Sequence, residues 1–254
     1  MTTLSANAVN VDVGSRALLA GLDLDVPCGL VTLLVGRNGS GKTTLLNVLG
    51  GLREPEAGRV ELDGQDVRSM DPRERARRVT VIPQDSDSPF EFTGRELVMM
   101  GRHPHIARFG SPAAADQAAV DRALDMADAV EFADRPITTL SGGERQRVSV
   151  ARALATEAEI VLADEPTANL DLDHALALLD LFRGLASAGR TVVLVSHDLN
   201  LTAPAADRVA ILHDGQIRCV SEPSEALAPD TLREVFGVNS EQAEGYFPRR
   251  FTKL

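Results

Sequence analysis

Apolar residues alternate with polar ones over residues 8–13, and a second alternating or apolar run covers 18–26. The intervening Gly14-Ser15 pair reads as the turn of an antiparallel strand pair. Residues 31–35 form a short apolar run that leads straight into a glycine-rich loop. A helix is predicted over 44–52, with Leu45, Leu46, Val48 and Leu49 facing a core. Strands follow at 59–62, ending in an Asp63-Gly64 turn, and at 79–82. Between them, residues 71–78 make a charged helix whose run of charge reads as a solvated face.

From about residue 89 to 155 the texture turns helical. Helices are predicted at 94–100 and 113–130, the second carrying Val120, Leu124, Ala127 and Val130 at helical spacing. Residues 101–112 between them form a loop rich in Gly, Pro and His. Two short apolar runs, 160–163 and 191–195, fit buried parallel strands, and a helix over 174–187 joins them as a βαβ unit. Residues 209–212 and 216–220 form a hairpin around Asp214-Gly215. No internal repeat or low-complexity linker interrupts the pattern. The expectation is one α/β domain over 1–254, with a helical insertion at about 88–157 and a C-terminal hairpin and tail at about 208–254.

Composition narrows the class. With 254 residues, 44% of them hydrophobic, the chain can bury a full core. No apolar run approaches the ~18 residues of a membrane span. The first seven residues lack a signal pattern, and two cysteines, Cys28 and Cys219, fit a reducing compartment. The expected home is the cytosol. A net charge of −11 opposes broad nucleic-acid binding, so no nucleic acid is expected as partner. Lysine occurs only at Lys42 and Lys253, which makes the one inside the glycine-rich loop conspicuous.

That loop is Gly36, Arg37, Asn38, Gly39, Ser40, Gly41, Lys42 and Thr43, with Thr44 opening the helix. Its glycines let backbone N–H groups turn toward phosphate oxygens at the positive end of the helix. Lys42 would reach the β- and γ-phosphates, and the Thr43 hydroxyl would help hold Mg²⁺. The strand 160–163 ends in Asp164 and Glu165, delivering two carboxylates to the same strand-end edge. Asp164 would bind Mg²⁺ directly or through water, and Glu165 would polarise an attacking water. Gln84 follows a strand and could ligate the cation or hold the water, although a lone Gln is usually surface. His197 follows the strand 191–195 and could hydrogen-bond the γ-phosphate.

Ser141-Gly142-Gly143-Glu144 has a plain structural explanation as a capping box before a helix. Two glycines in the first helical turn cost about 1 kcal/mol each relative to alanine, and the box does not explain them. Close backbone approach to an anionic ligand would. With a complete phosphate loop already present, this second half-site points to a nucleotide shared by two chains.

With these residues quoted, the chain resembles the ATP-binding cassette (ABC) ATPases over nearly its whole length. GRNGSGKT is similar to the Walker A loop, Gln84 to the Q-loop, LSGGE at 140–144 to the signature and IVLADE at 160–165 to Walker B. Asn169-Leu170-Asp171 looks like the D-loop and His197 like the switch histidine. The resemblance implies a P-loop NTPase core with a mixed, largely parallel sheet, an N-terminal antiparallel β subdomain and a helical subdomain. It also implies a head-to-tail homodimer holding ATP and Mg²⁺ between Walker A of one subunit and the signature of the other, with Asp171 near the nucleotide. Binding closes the dimer and hydrolysis reopens it.

The stretch after the Q-loop, ending Gly101-Arg102-His103-Pro104-His105, is similar to importer ATPases for ferric siderophores, haem and cobalamin. The resemblance implies permease subunits contacting residues 84–105, an external substrate-binding protein acting indirectly, and a peripheral site on the cytoplasmic face of the membrane. His103 and His105 could alternatively bind metal, but lack a further ligand of the right kind. LADEPTANLD is shared with exporter and lipoprotein-release ATPases, so export stays open on that motif. Non-transport ABC ATPases carry coiled-coil insertions or paired cassettes that this chain lacks. One departure is Val13, standing where the family usually stacks an aromatic on adenine; the expectation is weak base discrimination, with Tyr246 far away in the chain.

Overall fold

The first strand, β1 (Leu4–Val13), begins four residues before the alternation becomes readable. Leu4 and Ala6 point inward, Ala8 takes a left-handed φ of 48°, and Val9 and Val11 point inward after it. The register shift between Ala6 and Val9 is a bulge, and it flips the phase that pattern reading depends on. The computed structural model describes residues 3–14, 16–84 and 91–239. Ser15 of the expected turn, residues 88–90 at the expected start of the helical insertion, and the tail with Tyr246 and Lys253 lie outside the described residues.

The chain continues through β2 (Arg16–Val26), β3 (Val31–Val35), α1 (Lys42–Leu49), β4 (Ala57–Leu62), β5 (Gln65–Asp66), α2 (Pro72–Arg78) and β6 (Val79–Ile82). The helical region follows as α3 (Gly94–Met100), α4 (Ala114–Met126) and α5 (Gly142–Ala155). The chain then runs β7 (Ile160–Asp164), α6 (Leu172–Ser187), β8 (Thr191–Val195), α7 (Leu199–Thr202), β9 (Arg208–His213), β10 (Gln216–Ser221), α8 (Pro223–Ala226) and α9 (Pro229–Phe236).

Two sheets result. The N-terminal one is antiparallel in the order β2-β1-β4-β5. Its β4–β5 turn uses positive φ at both Asp63 and Gly64, the Asp-Gly hairpin chemistry the sequence predicts. The second sheet has the order β10-β9-β3-β8-β7-β6, with β9, β3, β8, β7 and β6 mutually parallel and β10 antiparallel at one edge. Alternate residues of its central strands feed two cores. Leu33, Val161 and Val192 join the core shared with α5 and α6, whereas Leu34, Leu162 and Val193 join the one shared with α1 and the antiparallel sheet. Burial on both faces is why these strands read as continuous apolar runs. It also fixes the carboxyl ends of β3, β6, β7 and β8 along one edge.

Two helix C-termini differ from expectation. The first helix stops at Leu49 rather than 52, because Gly50 and Gly51 follow and Gly51 has φ 66°. It also starts earlier, at Lys42. The helix expected over 113–130 stops at Met126, where Asp128 takes φ 50° and the Ala129 N–H bonds the Leu124 carbonyl at 2.8 Å. This is a glycine-type stop made by an aspartate, so the sequence carries no Gly to mark it. The three short C-terminal helices α7, α8 and α9 are additions to the predicted elements.

The 101–112 loop is anchored by a buried arginine. Arg102 donates to Asp116 Oδ1 at 3.1 Å, the Ala155 carbonyl at 2.7 Å and Glu157 Oε2 at 2.8 Å. One side chain thus ties α4, the end of α5 and the loop together.

Candidate functional site

The phosphate loop leaves β3 at Val35 and enters α1 at Lys42. Gly41 is the N-cap residue with φ 102° and Gly39 has φ 74°, conformations that side chains resist. Gly36 is needed for packing instead: a Cβ there would lie 2.4 Å from the Leu212 carbonyl of β9 and 2.8 Å from Ser40 Oγ. Arg37, Asn38 and Gly39 are exposed at the crest of the loop, and Thr43 is exposed just behind it. Thr44 is half-buried in the first helical turn.

Lys42 is buried at 8% exposure, its Nζ donating to the carbonyls of Gly36 at 3.0 Å and Arg37 at 3.1 Å. Burial pushes its pKa below the usual lysine value, while the nearby carboxylates of Glu165 and Asp164 oppose that shift. Asp164 closes β7 at 2% exposure. Burial raises its pKa, and the Thr43 hydroxyl and Lys42 offset part of the rise. Among the described residues its Oδ1 is buried with no hydrogen-bond partner, and the same holds for Ser40 Oγ within the phosphate loop. A buried carboxylate oxygen left orphaned beside a hydroxyl is a hard-oxygen donor set that fits a small divalent cation held jointly with phosphate oxygens.

Glu165 is the next residue, with a left-handed φ of 48°, a conformation costing roughly 1–3 kcal/mol outside glycine. Its N–H is fixed on the Val195 carbonyl of β8 at 3.0 Å. Its carboxylate oxygen Oε2 meets His197 Nδ1 at 2.5 Å, and the His197 ring is otherwise mostly exposed. The ends of β3, β7 and β8 therefore bring the loop, Lys42, Asp164, Glu165 and His197 to one edge. Gln84, two residues past β6, is exposed at the end of the neighbouring strand.

Ser141 to Glu144 lie in a different cleft. Ser141 caps α5, accepting from the Glu144 N–H at 3.3 Å, while Glu144 accepts from the Ser141 N–H at 2.6 Å. The Ser141 N–H, the Ser141 hydroxyl and Arg135 hold the Glu144 carboxyl below its ordinary pKa. The two glycines expected to approach a ligand differ in how far packing within the chain already requires them. A Cβ there would come within 2.9 Å of the Asn169 carbonyl of the same chain, whereas at Gly142 the nearest atom would be 3.6 Å away. Packing therefore requires a glycine at Gly143 whatever else it meets, and leaves the glycine at Gly142 unexplained. These residues line an open cleft of about 450 Å³ with Asn169, Asp171 and His174, and none of its lining comes from the phosphate loop.

His174 is a cleft residue that no motif names, and Asn169, named only within the D-loop stretch, lines the cleft as well. Asn169, at φ 65°, is the backbone against which Gly143 packs. No local signal marks that contact, because the two residues meet only in the folded chain. His105, considered as a metal ligand, instead has its Nε2 on the Thr156 carbonyl at 2.8 Å, while His103 is exposed.

Comparison with known proteins agrees with this geometry. The ABC transporter family matches residues 19–168. The chain is similar to the cobalamin import ATP-binding protein of Halobacterium salinarum, 43% identical over 92% of this chain and 58% of that one. It is also similar to the hemin import ATP-binding protein of Rhodococcus jostii, 43% identical over 92% of this chain and 80% of that one. The iron(3+)-hydroxamate import ATP-binding protein of Bacillus subtilis is 37% identical over 95% of this chain and 90% of the relative. The chain thus spans just over half of the halobacterial relative and most of the other two.

Among solved structures, one described as an inward-facing metal-chelate type ABC transporter superposes with a TM-score of 0.80 at 30% identity, covering 94% of this chain and 90% of that one. The dimeric bacterial cassette MJ0796 gives 0.76 at 29% identity, covering 87% and 98%. With the family match over residues 19–168 and these relatives spanning nearly all of the chain, the phosphate loop, the capped Ser-Gly-Gly-Glu helix and the strand-end carboxylate pair fall into place: the chain belongs to the ABC transporter family, as one of its ATP-binding cassettes.

Proposed function

We propose that the chain hydrolyses ATP to drive import of a metal-chelate type compound, an iron-siderophore, haem or cobalamin, through a membrane permease. The observation that carries the chemistry is the orphaned Oδ1 of Asp164 beside Thr43, Lys42 and Glu165. The loop backbone and Lys42 would bind the triphosphate. Thr43, Asp164 and Gln84 would hold Mg²⁺, which when bound supplies charge neutralisation of the phosphate oxygens.

Glu165 would orient the attacking water and accept its proton. The His197 ring, in contact with that carboxylate, would orient it and contact the γ-phosphate. Because the Ser141–Glu144 cleft contains no phosphate-loop residue, Ser141, Gly142, Gly143 and Asp171 would act on nucleotide bound by a second copy, head to tail. The similarity to a dimeric cassette supports that arrangement.

Relatives named for cobalamin, hemin and iron-hydroxamate import support uptake over export. No helix among the described residues is long and apolar enough to cross a membrane. As an import subunit of that kind, the chain would sit peripherally at the cytoplasmic face of the membrane. Residues 84–105 would turn toward the permease, with a substrate-binding protein acting on the far side. Glu165→Gln tests the chemical core: steady-state ATP hydrolysis should fall by about 10²-fold or more while ATP still binds. Retained turnover would remove Glu165 from its role.

A further inference from the structure

We infer that a basic and aromatic surface formed by α2 and the 101–112 loop rests on anionic phospholipid headgroups beside the permease. The surface is built by packing. Arg73 donates to the Ile106 carbonyl at 2.8 Å and Arg77 to the Pro104 carbonyl at 2.8 Å, so the helix and the loop form one face. At its tip Phe109 is 97% exposed, with the Arg108 guanidinium 5.9 Å from the ring centroid.

The charge on this face is unbalanced. Arg73, Arg77 and Arg108 are exposed and form no ion pair among the described residues. Residues 97–115 contain no acidic side chain. Two carboxylates lie by α2, Asp71 capping the helix by accepting from the N–H groups of Arg73 and Glu74, and exposed Glu74, so three arginines face two carboxylates and the excess positive charge lies on the loop side with Arg108. The other two arginines of the helix are engaged elsewhere, Arg75 on the Val67 carbonyl and Arg78 with Asp63 and Glu159.

A chain of net charge −11 is repelled by an anionic surface except where such a patch turns toward it. An exposed aromatic flanked by arginines is the composition that binds the headgroup region, the ring entering the interface and the cations meeting phosphate. The assignment rests on the reading that the chain works at a membrane permease, and it orients the cassette by placing this face toward the bilayer.

The test is flotation of the full chain with vesicles of phosphatidylcholine alone or with one third phosphatidylglycerol, at low and high salt. Binding is expected only to the anionic vesicles and is expected to disappear at high salt. Arg108→Ser should weaken it by about fivefold and Phe109→Ser by a similar factor. Both variants should keep the wild-type ATPase rate in solution, which separates this inference from the nucleotide chemistry. Arg73→Gln and Arg77→Gln also break loop contacts, so a melting curve accompanies them. Equal binding to both vesicle types, no binding, or undiminished binding by Arg108→Ser and Phe109→Ser would overturn the inference. So would a surface that is silent on lipid but whose variants fail to co-purify with the permease, since its partner would then be protein.

Discussion

Asp164 is a buried carboxylate whose burial weakens the fold at neutral pH. Its pKa is raised by burial, so the native state holds the proton more tightly than the unfolded chain. The stability linked to that proton is present at low pH and is lost as pH rises from the ordinary carboxylate range through the raised native value. Asp164→Asn should therefore melt higher than wild type near neutral pH without nucleotide, and the two curves should converge toward about pH 4. Thermal melts across pH check this; a constant difference would contradict it. The glycines of the second cleft separate in the same way. Gly143→Ala should destabilise the fold because its Cβ meets the Asn169 carbonyl, while Gly142→Ala should melt close to wild type yet lower ATPase activity. Motif spacing makes Gly36–Thr43, Asp164, Glu165 and Ser141 legible in the sequence. It says nothing of Asn169 packing on Gly143, or of the Glu165–His197 contact, which arise from strands meeting in space.

Among the elements, the parallel strands are the most readable, since burial on both faces leaves nearly continuous apolar runs such as Val31–Val35, broken only by Thr32, and Thr191–Val195, apolar after its first residue. Strand β1 is only half readable because Ala8 flips its phase, and α4 ends on an aspartate where a glycine would have announced the stop. The join between loop and helices in the α3–α5 region depends on Arg102. Asp116 is held below its ordinary pKa by the Ala113 N–H and then by Arg102. Burial pushes Glu157 up, but Arg102 and Arg122 overcome it and hold it low. Lowered carboxylate values mean stability that is present above the ordinary carboxylate range and lost as pH falls through the native values. Acid should thus loosen this region. Arg102→Met should lower the melting temperature at neutral pH, since it leaves Asp116 facing an apolar chain, and should flatten the acid dependence. Hydrogen exchange of α4 amides locates the effect.

For the whole molecule, the fold class and the insertion of helices between β6 and β7 follow from the order of apolar runs. The proposed pairing of two chains rests instead on chemistry that one chain leaves incomplete. The phosphate loop with its carboxylates and the Ser141–Glu144 cleft are separate surfaces, each lacking what the other offers. Lys42→Ala should lose ATP affinity in the isolated chain, whereas Ser141→Arg should leave that affinity largely intact, because its damage falls on the partner's nucleotide. The most direct measurement of the shared site is the mass of Glu165→Gln in solution with ATP, by light scattering. The expected result is a doubling of mass on ATP addition that vanishes when Ser141→Arg is added to the same chain, with nucleotide binding retained. A Glu165→Gln chain that stays monomeric at saturating ATP, or a dimer indifferent to Ser141→Arg, would contradict it.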